Sequence, residues 1–118
     1  MVIYTVMDLK TFSLADFEAS AGKAAGLLRT LGNEKRLMIL CQLRGGEQPA
    51  GALQEPLGLS QSALSQHLAV LREAGVVETR REAQTIYYRI ADPAAVKVIE
   101  TLAAIFRPEK PTPLEKKR

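Results

Sequence analysis

Residues 58–77, GLSQSALSQHLAVLREAGVV, most constrain what this chain can fold into. They combine a turn, a helix cap, a two-faced helix and the start of a strand. Ser60 suits the cap, because its hydroxyl can accept from the free N–H groups of a helix's first turn. Behind it Ala63, Leu64, Leu68 and Leu71 recur at helical spacing and predict one buried face. Opposite them stand Gln61, Ser62, Ser65 and Gln66, followed by His67. Amide and hydroxyl side chains carry donors and acceptors that can meet base edges in a DNA major groove. A helix that buries leucines and displays such groups suits a recognition helix. The alternative is a helical hairpin with an ordinary solvated face.

The flanking residues extend the pattern. Residues 50–57, AGALQEPL, predict a short helix whose last turn Pro56 should end or distort. Gly58 and Leu59 supply the turn, since glycine tolerates positive φ. Helix, short turn with glycine, helix is the helix-turn-helix arrangement. After it come two β-like runs, VVETRR at 76–81 and TIYYRI at 85–90, joined by Glu82, Ala83 and Gln84. A hairpin directly after a recognition helix forms a wing. Its arginines Arg80 and Arg81, with Gln84 at the tip and Arg89 further along, are placed to meet phosphates or a narrow minor groove. Tyr87 and Tyr88 alternate, so one should pack on the core and the other face outward.

A chain of 118 residues fits one domain. Sixteen Lys and Arg against 13 Asp and Glu leave a net charge of +3, which permits a polyanion partner without demanding one. No apolar run reaches the roughly 18 residues of a membrane span. The first ten residues lack the basic start and cleavage region of a signal peptide. One cysteine excludes an intrachain disulfide, and the expected location is the cytoplasm.

Residues 1–12 are expected to form a loosely held N-terminal arm. The folded domain is expected over 13–107, and residues 108–118, PEKPTPLEKKR, read as a disordered tail. Ser13 can cap a helix to about Leu31 whose Leu14, Phe17, Ala21, Ala24, Leu28 and Leu31 predict one buried face. Gly32 and Asn33 break it. A second helix over 34–43 contains LMILC, too apolar for a surface element. A last helix starts after Asp92, with Pro93 at its first position, and runs to about Phe106. Its apolar residues cover more than one face, which predicts a homodimer through the first and last helices. Two recognition helices roughly 34–36 Å apart would then read a palindrome.

With these segments in place the chain resembles the ArsR/SmtB family of bacterial winged-helix regulators, most closely its HlyU-, BigR- and NolR-like branch. LGNEKRLMILCQL at 31–43, residues 58–77 and RREAQTIYYRI at 80–90 carry the likeness. It implies a mainly α fold with a small β-hairpin: a winged helix-turn-helix with four helices, two strands and a fifth helix, forming a homodimer. It also implies a transcriptional repressor that binds double-stranded promoter DNA at a palindromic operator, with Gln61, Ser62, Ser65 and Gln66 facing bases.

The departures concern effectors. Many members bind metal through a Cys-x-Cys pair before the recognition helix, yet residues 47–53, EQPAGAL, hold no cysteine. Others use His and carboxylates on the final helix, where this chain has only Glu100. No metal site and no cofactor is therefore expected. Cys41 has two readings: a redox or sulfide sensor, as in the BigR-like branch but without that branch's second cysteine, or a small buried hydrophobe. His67 is either a DNA contact or a structural residue. A winged-helix protein-docking module would want apolar or aromatic anchors where Gln61 and Gln66 stand. An enzyme would need a catalytic constellation, which one His and one Cys without clustered carboxylates do not supply.

Overall fold

Residues 13–107 are described by the computed structural model of the chain; the arm and the tail expected at the two ends lie outside them. Helix α1 spans Leu14–Leu31 and starts where expected, the Ser13 hydroxyl accepting from the Asp16 amide at 3.2 Å. Helix α2 spans Glu34–Leu43. Asn33 does more than break the preceding helix: its Oδ1 accepts from the amides of Lys35 at 2.9 Å and Arg36 at 3.0 Å, so it is the N-cap of α2.

A two-residue strand β1, Gln48–Pro49, follows and leads directly into helix α3, Ala50–Leu57. Pro56 sits in the last turn of α3, and the helix closes at once. Gly58 adopts φ +62°, where a Cβ would be strained. Its N–H donates to the Glu55 carbonyl at 3.1 Å and that of Leu59 to Gln54 at 3.2 Å, the paired closure of a Schellman motif. The Lys35 ammonium also donates to the Leu57 carbonyl at 3.3 Å, satisfying another open carbonyl of α3. Helix α4, Gln61–Glu73, then begins under the Ser60 cap, whose Oγ accepts from the Ala63 amide at 3.0 Å.

Strands β2, Val77–Glu82, and β3, Thr85–Ile90, form the hairpin. It starts one residue later than the sequence suggested, because Val76 is used otherwise. Its carbonyl accepts from the Ala91 amide at 2.8 Å and its side chain is buried. At the tip Glu82 pairs with Thr85, which leaves a two-residue turn of Ala83 and Gln84 with Ala83 at φ +56°. Among the described residues the sheet has three antiparallel strands in the order β1-β3-β2, not two. A two-residue strand containing proline carries no periodicity of its own, which is why β1 escapes a sequence reading. Helix α5, Pro93–Phe106, closes the fold, with the Asp92 carboxylate accepting from the Ala94 amide at 2.9 Å.

The core lies where α2, α3, α4, α5 and the sheet meet, and Ile39, Leu40, Leu53, Leu71 and Ile99 are sealed from solvent. As expected, Leu64, Leu68 and Leu71 form the buried face of α4. Tyr88 packs against this core. Two expectations are corrected. Of the α1 face expected to be buried only Leu31 is; Leu14, Phe17 and Leu28 are exposed, because α1 meets the rest of the fold mainly through its C-terminal turns. On α2 the apolar run is split by helical geometry. Ile39, Leu40 and Leu43 point inward, whereas Met38 and Cys41, three apart on the outer stripe, are exposed.

Candidate nucleic-acid interface

The outer face of α4 is the first half of the site. Gln61, Ser62, Ser65 and Gln66 are all exposed, and as i, i+1, i+4 and i+5 they form one patch across two turns. The first turn holds no acidic residue, so the N-terminal end of the helix presents its partial positive charge unopposed. The three leucines on the opposite side fix the rotation of the helix. His67 is half-buried at the edge of the patch, beside buried Leu68.

The wing is the second half, and here the structure sorts three arginines that look alike in sequence. Strand register puts Glu78, Arg80 and Glu82 on one face of the hairpin with Tyr87 and Arg89. On that face Arg89 is paired with Glu78. The Arg80 guanidinium engages Glu47 through two bonds, Nη2–Oε1 at 2.7 Å and Nε–Oε2 at 3.0 Å, and Glu82 through Nη1 at 3.0 Å. It also lies over the Tyr87 ring, 4.5 Å from the centroid. The bonds from Arg80 hold the Glu47 carboxyl below the usual carboxylate range, and the same bonds push the Arg80 guanidinium to still stronger basicity.

Arg81 is on the other face, the one that carries Val77, Thr79 and Tyr88 toward the helices. It is exposed, and among the described residues it has no ion pair. Gln84 is exposed in the turn. Read as sequence the wing looks basic. Folded, its Arg80, Arg81 and Arg89 stand against Glu47, Glu78 and Glu82, three charges against three. Glu47 enters this balance from 33 positions away in the chain, and no local pattern announces it.

Cys41 lies in an open groove of about 750 Å³ between α2 and α5, with Leu37, Met38, Ile99, Leu102 and Phe106 among its walls. Its exposure removes the reading of Cys41 as a buried hydrophobe. Among the described residues no three His, Cys, Asp or Glu side chains converge as a metal would require. Among them, too, no helix is long and apolar enough to cross a membrane.

This geometry has counterparts among known proteins. Residues 33–79 match the model of the bacterial regulatory proteins of the arsR family. A biofilm growth-associated repressor of Agrobacterium fabrum is 47% identical over 100 residues, spanning 85% of this chain and 86% of its own length. The transcriptional activator HlyU of Vibrio cholerae is 46% identical over 94 residues, spanning 80% of this chain and 87% of its own. Among solved structures, the transcriptional repressor BigR of Xylella fastidiosa superposes with a TM-score of 0.78 at 41% identity, over 83% of this chain and all of that one.

Proposed function

This chain is a member of the bacterial ArsR family of regulatory proteins, a winged helix-turn-helix transcriptional regulator and not an enzyme, and from that premise we propose that it acts as a homodimeric, sequence-specific repressor. The observation that carries the reading is the outer face of α4: four exposed, uncharged polar side chains in one patch, held in register by three buried leucines. Gln61, Ser62, Ser65 and Gln66 read base edges in the major groove, where a good bidentate contact discriminates by about 1–3 kcal/mol. His67 supports the edge of that surface, and Arg81 with Gln84 at the wing meets the phosphate backbone beside it. The exposed apolar residues of α1 and α5 supply the subunit interface, and a two-fold axis places the two α4 helices on a palindrome. Occupancy of a promoter then blocks transcription.

A random-site selection with the purified protein, followed by fluorescence anisotropy on the selected and a scrambled duplex, tests this. A palindromic consensus bound far more tightly than the scrambled duplex is expected. Failure to enrich any sequence at low salt would sink the reading and leave a protein-docking module in its place. Exposed Cys41 favours one second reading, a thiol-responsive form of the same regulator. A Cys41→Ser protein whose DNA affinity still answers to oxidant or polysulfide would remove it.

A further inference from the structure

We propose that Arg80 is a positioning residue, and that with Glu47 and Tyr87 it forms a clasp that fixes the wing relative to the helix-turn-helix. The inference rests on the DNA-binding reading above. Three observations carry it. The strand order is β1-β3-β2, so β1 and β2 are not neighbours. Arg80 on β2 nevertheless reaches Glu47, which immediately precedes β1, and its guanidinium passes over Tyr87 on the middle strand. The register places Arg80 opposite Tyr87 and Tyr87 opposite Pro49, so the three residues lie on one line across the sheet.

The need for such a clasp follows from the length of β1. Two residues, one of them a proline without an N–H, give a weak backbone ladder. Yet β1 runs directly into α3, the first helix of the motif, and α3 turns through Gly58 into α4. How firmly β1 is held therefore bears on the angle between wing and recognition helix, beside the direct link from α4 through residues 74–76 into β2. A planar guanidinium that binds one carboxylate through two parallel bonds and stacks on an aromatic ring supplies directional restraint that a lysine would not. With Glu47 and Glu82 occupying its donors, Arg80 stays committed to this task while Arg81, on the other face, remains available to DNA.

The alternative, that Arg80 leaves Glu47 for a phosphate, predicts opposite signs. Anisotropy would be measured against salt on a duplex selected by the wild-type protein, for wild type, Arg80→Ala, Glu47→Ala, the double variant and Arg81→Ala. If the clasp positions the wing, Arg80→Ala and Glu47→Ala each weaken binding by roughly tenfold, and the double variant is no worse than either, as for partners in one network. Their salt slopes stay at the wild-type value, whereas Arg81→Ala lowers the slope by about 0.9 per subunit, one phosphate contact. If Glu47→Ala instead tightens binding and Arg80→Ala lowers the slope, the clasp is overturned. Hydrogen exchange on the DNA-free protein is a separate test. Glu47→Ala should speed exchange at the β1–β3 pairing, and unchanged exchange there overturns the clasp. A wild-type protein that selects no duplex defeats the DNA-binding reading, and the exchange result still decides whether the clasp holds β1.

Discussion

Arg36 reaches back across the turn between α1 and α2, and its Nε donates to the carbonyl of Thr30 at 2.6 Å. Its Nη2 lies 3.4 Å from the carbonyl of Arg29. Both carbonyls belong to the last turn of α1, where intrahelical donors run out, and that of Arg29 also accepts from the Gly32 amide at 3.3 Å. The cation also sits at the negative end of the helix dipole. Because α1 meets the core mainly through this end, the contact governs how the whole helix is aimed. Arg36→Met should lower stability by about 1–2 kcal/mol, the low end of the roughly 1.5–3 kcal/mol usual for a hydrogen bond to a charged group, because the site is only half-buried. Urea denaturation at fixed protomer concentration would measure it. A loss under about 0.3 kcal/mol, within the ordinary scatter of surface substitutions, would show that α1 is held by other means.

The wing tip contains a conformational fault that can be repaired. Ala83 holds φ +56°, the left-handed region, which costs an L-residue with a Cβ roughly 1–2 kcal/mol. Glycine escapes that cost but loses about 0.5–1 kcal/mol more chain entropy on folding. The difference favours Ala83→Gly by about 0.5–1 kcal/mol. A higher urea midpoint with an unchanged m-value is the expected result. A lower midpoint would mean that the turn relaxes at little cost in the native sequence.

Acid should weaken the junction between β1 and the wing. Hydrogen bonds donated by Arg80, aided by the charges of Arg80 and Arg89 and partly opposed by desolvation, hold the Glu47 carboxyl below its ordinary range. In the unfolded chain that carboxyl titrates near the usual glutamate value, about 4.3. As pH falls through that value the unfolded state takes up its proton first, so folding loses the contribution of Glu47 progressively until pH passes the folded pKa. Above about pH 6 the contribution is complete. The stability gap between wild type and Glu47→Gln should therefore be constant from pH 6 to 8 and shrink below about pH 4.5. A gap that widens on acidification would contradict the depressed value.

The two halves of the interface should fail differently when altered. Gln66→Ala removes a group that touches bases in the proposed complex, so it should cost about 1–3 kcal/mol on the selected duplex and little on a scrambled one. Arg81→Ala removes the phosphate contact proposed for the wing and should weaken both duplexes by a similar factor. Equal losses on both duplexes for both variants would refute the division of roles between α4 and the wing.

Much of this fold is legible in sequence because its signals are local. Ser13, Ser60 and Asp92 each carry a cap that bonds within three residues, and the three leucines of α4 state their face by spacing alone. What escaped depends on distant partners. Glu47 finds Arg80 only after the sheet has formed, and β1 exists only because β3 is there to pair with it. Cys41 looked buried because apolar neighbours surround it in sequence, whereas the helical period turns it outward with Met38. The α1 face misled for a related reason: amphipathic spacing shows which residues share a face, not whether this chain covers it.

That face sets the last prediction. Leu28 of α1 is 59% exposed, and Ile105 and Phe106 of α5 are 64% and 75% exposed. Phe17, on the same helix as Leu28, is also exposed, as is Leu14 near the start of α1. Fully burying a large apolar side chain is worth about 1.5–3 kcal/mol. Several such residues on two helices make a surface far more apolar than a lone subunit gains from, and a second copy offers the same residues in return. Because these side chains contribute little to the core of one subunit, charge there should divide the dimer and spare the fold. Leu28→Glu with Phe106→Glu should sediment as a monomer at micromolar concentration and keep the helical circular dichroism of the wild type. It should also lose binding to a full palindrome by orders of magnitude while keeping weak, salt-sensitive binding to a half-site. A variant that remains dimeric would move the interface away from α1 and α5, and a wild type that is already monomeric would remove the dimer altogether.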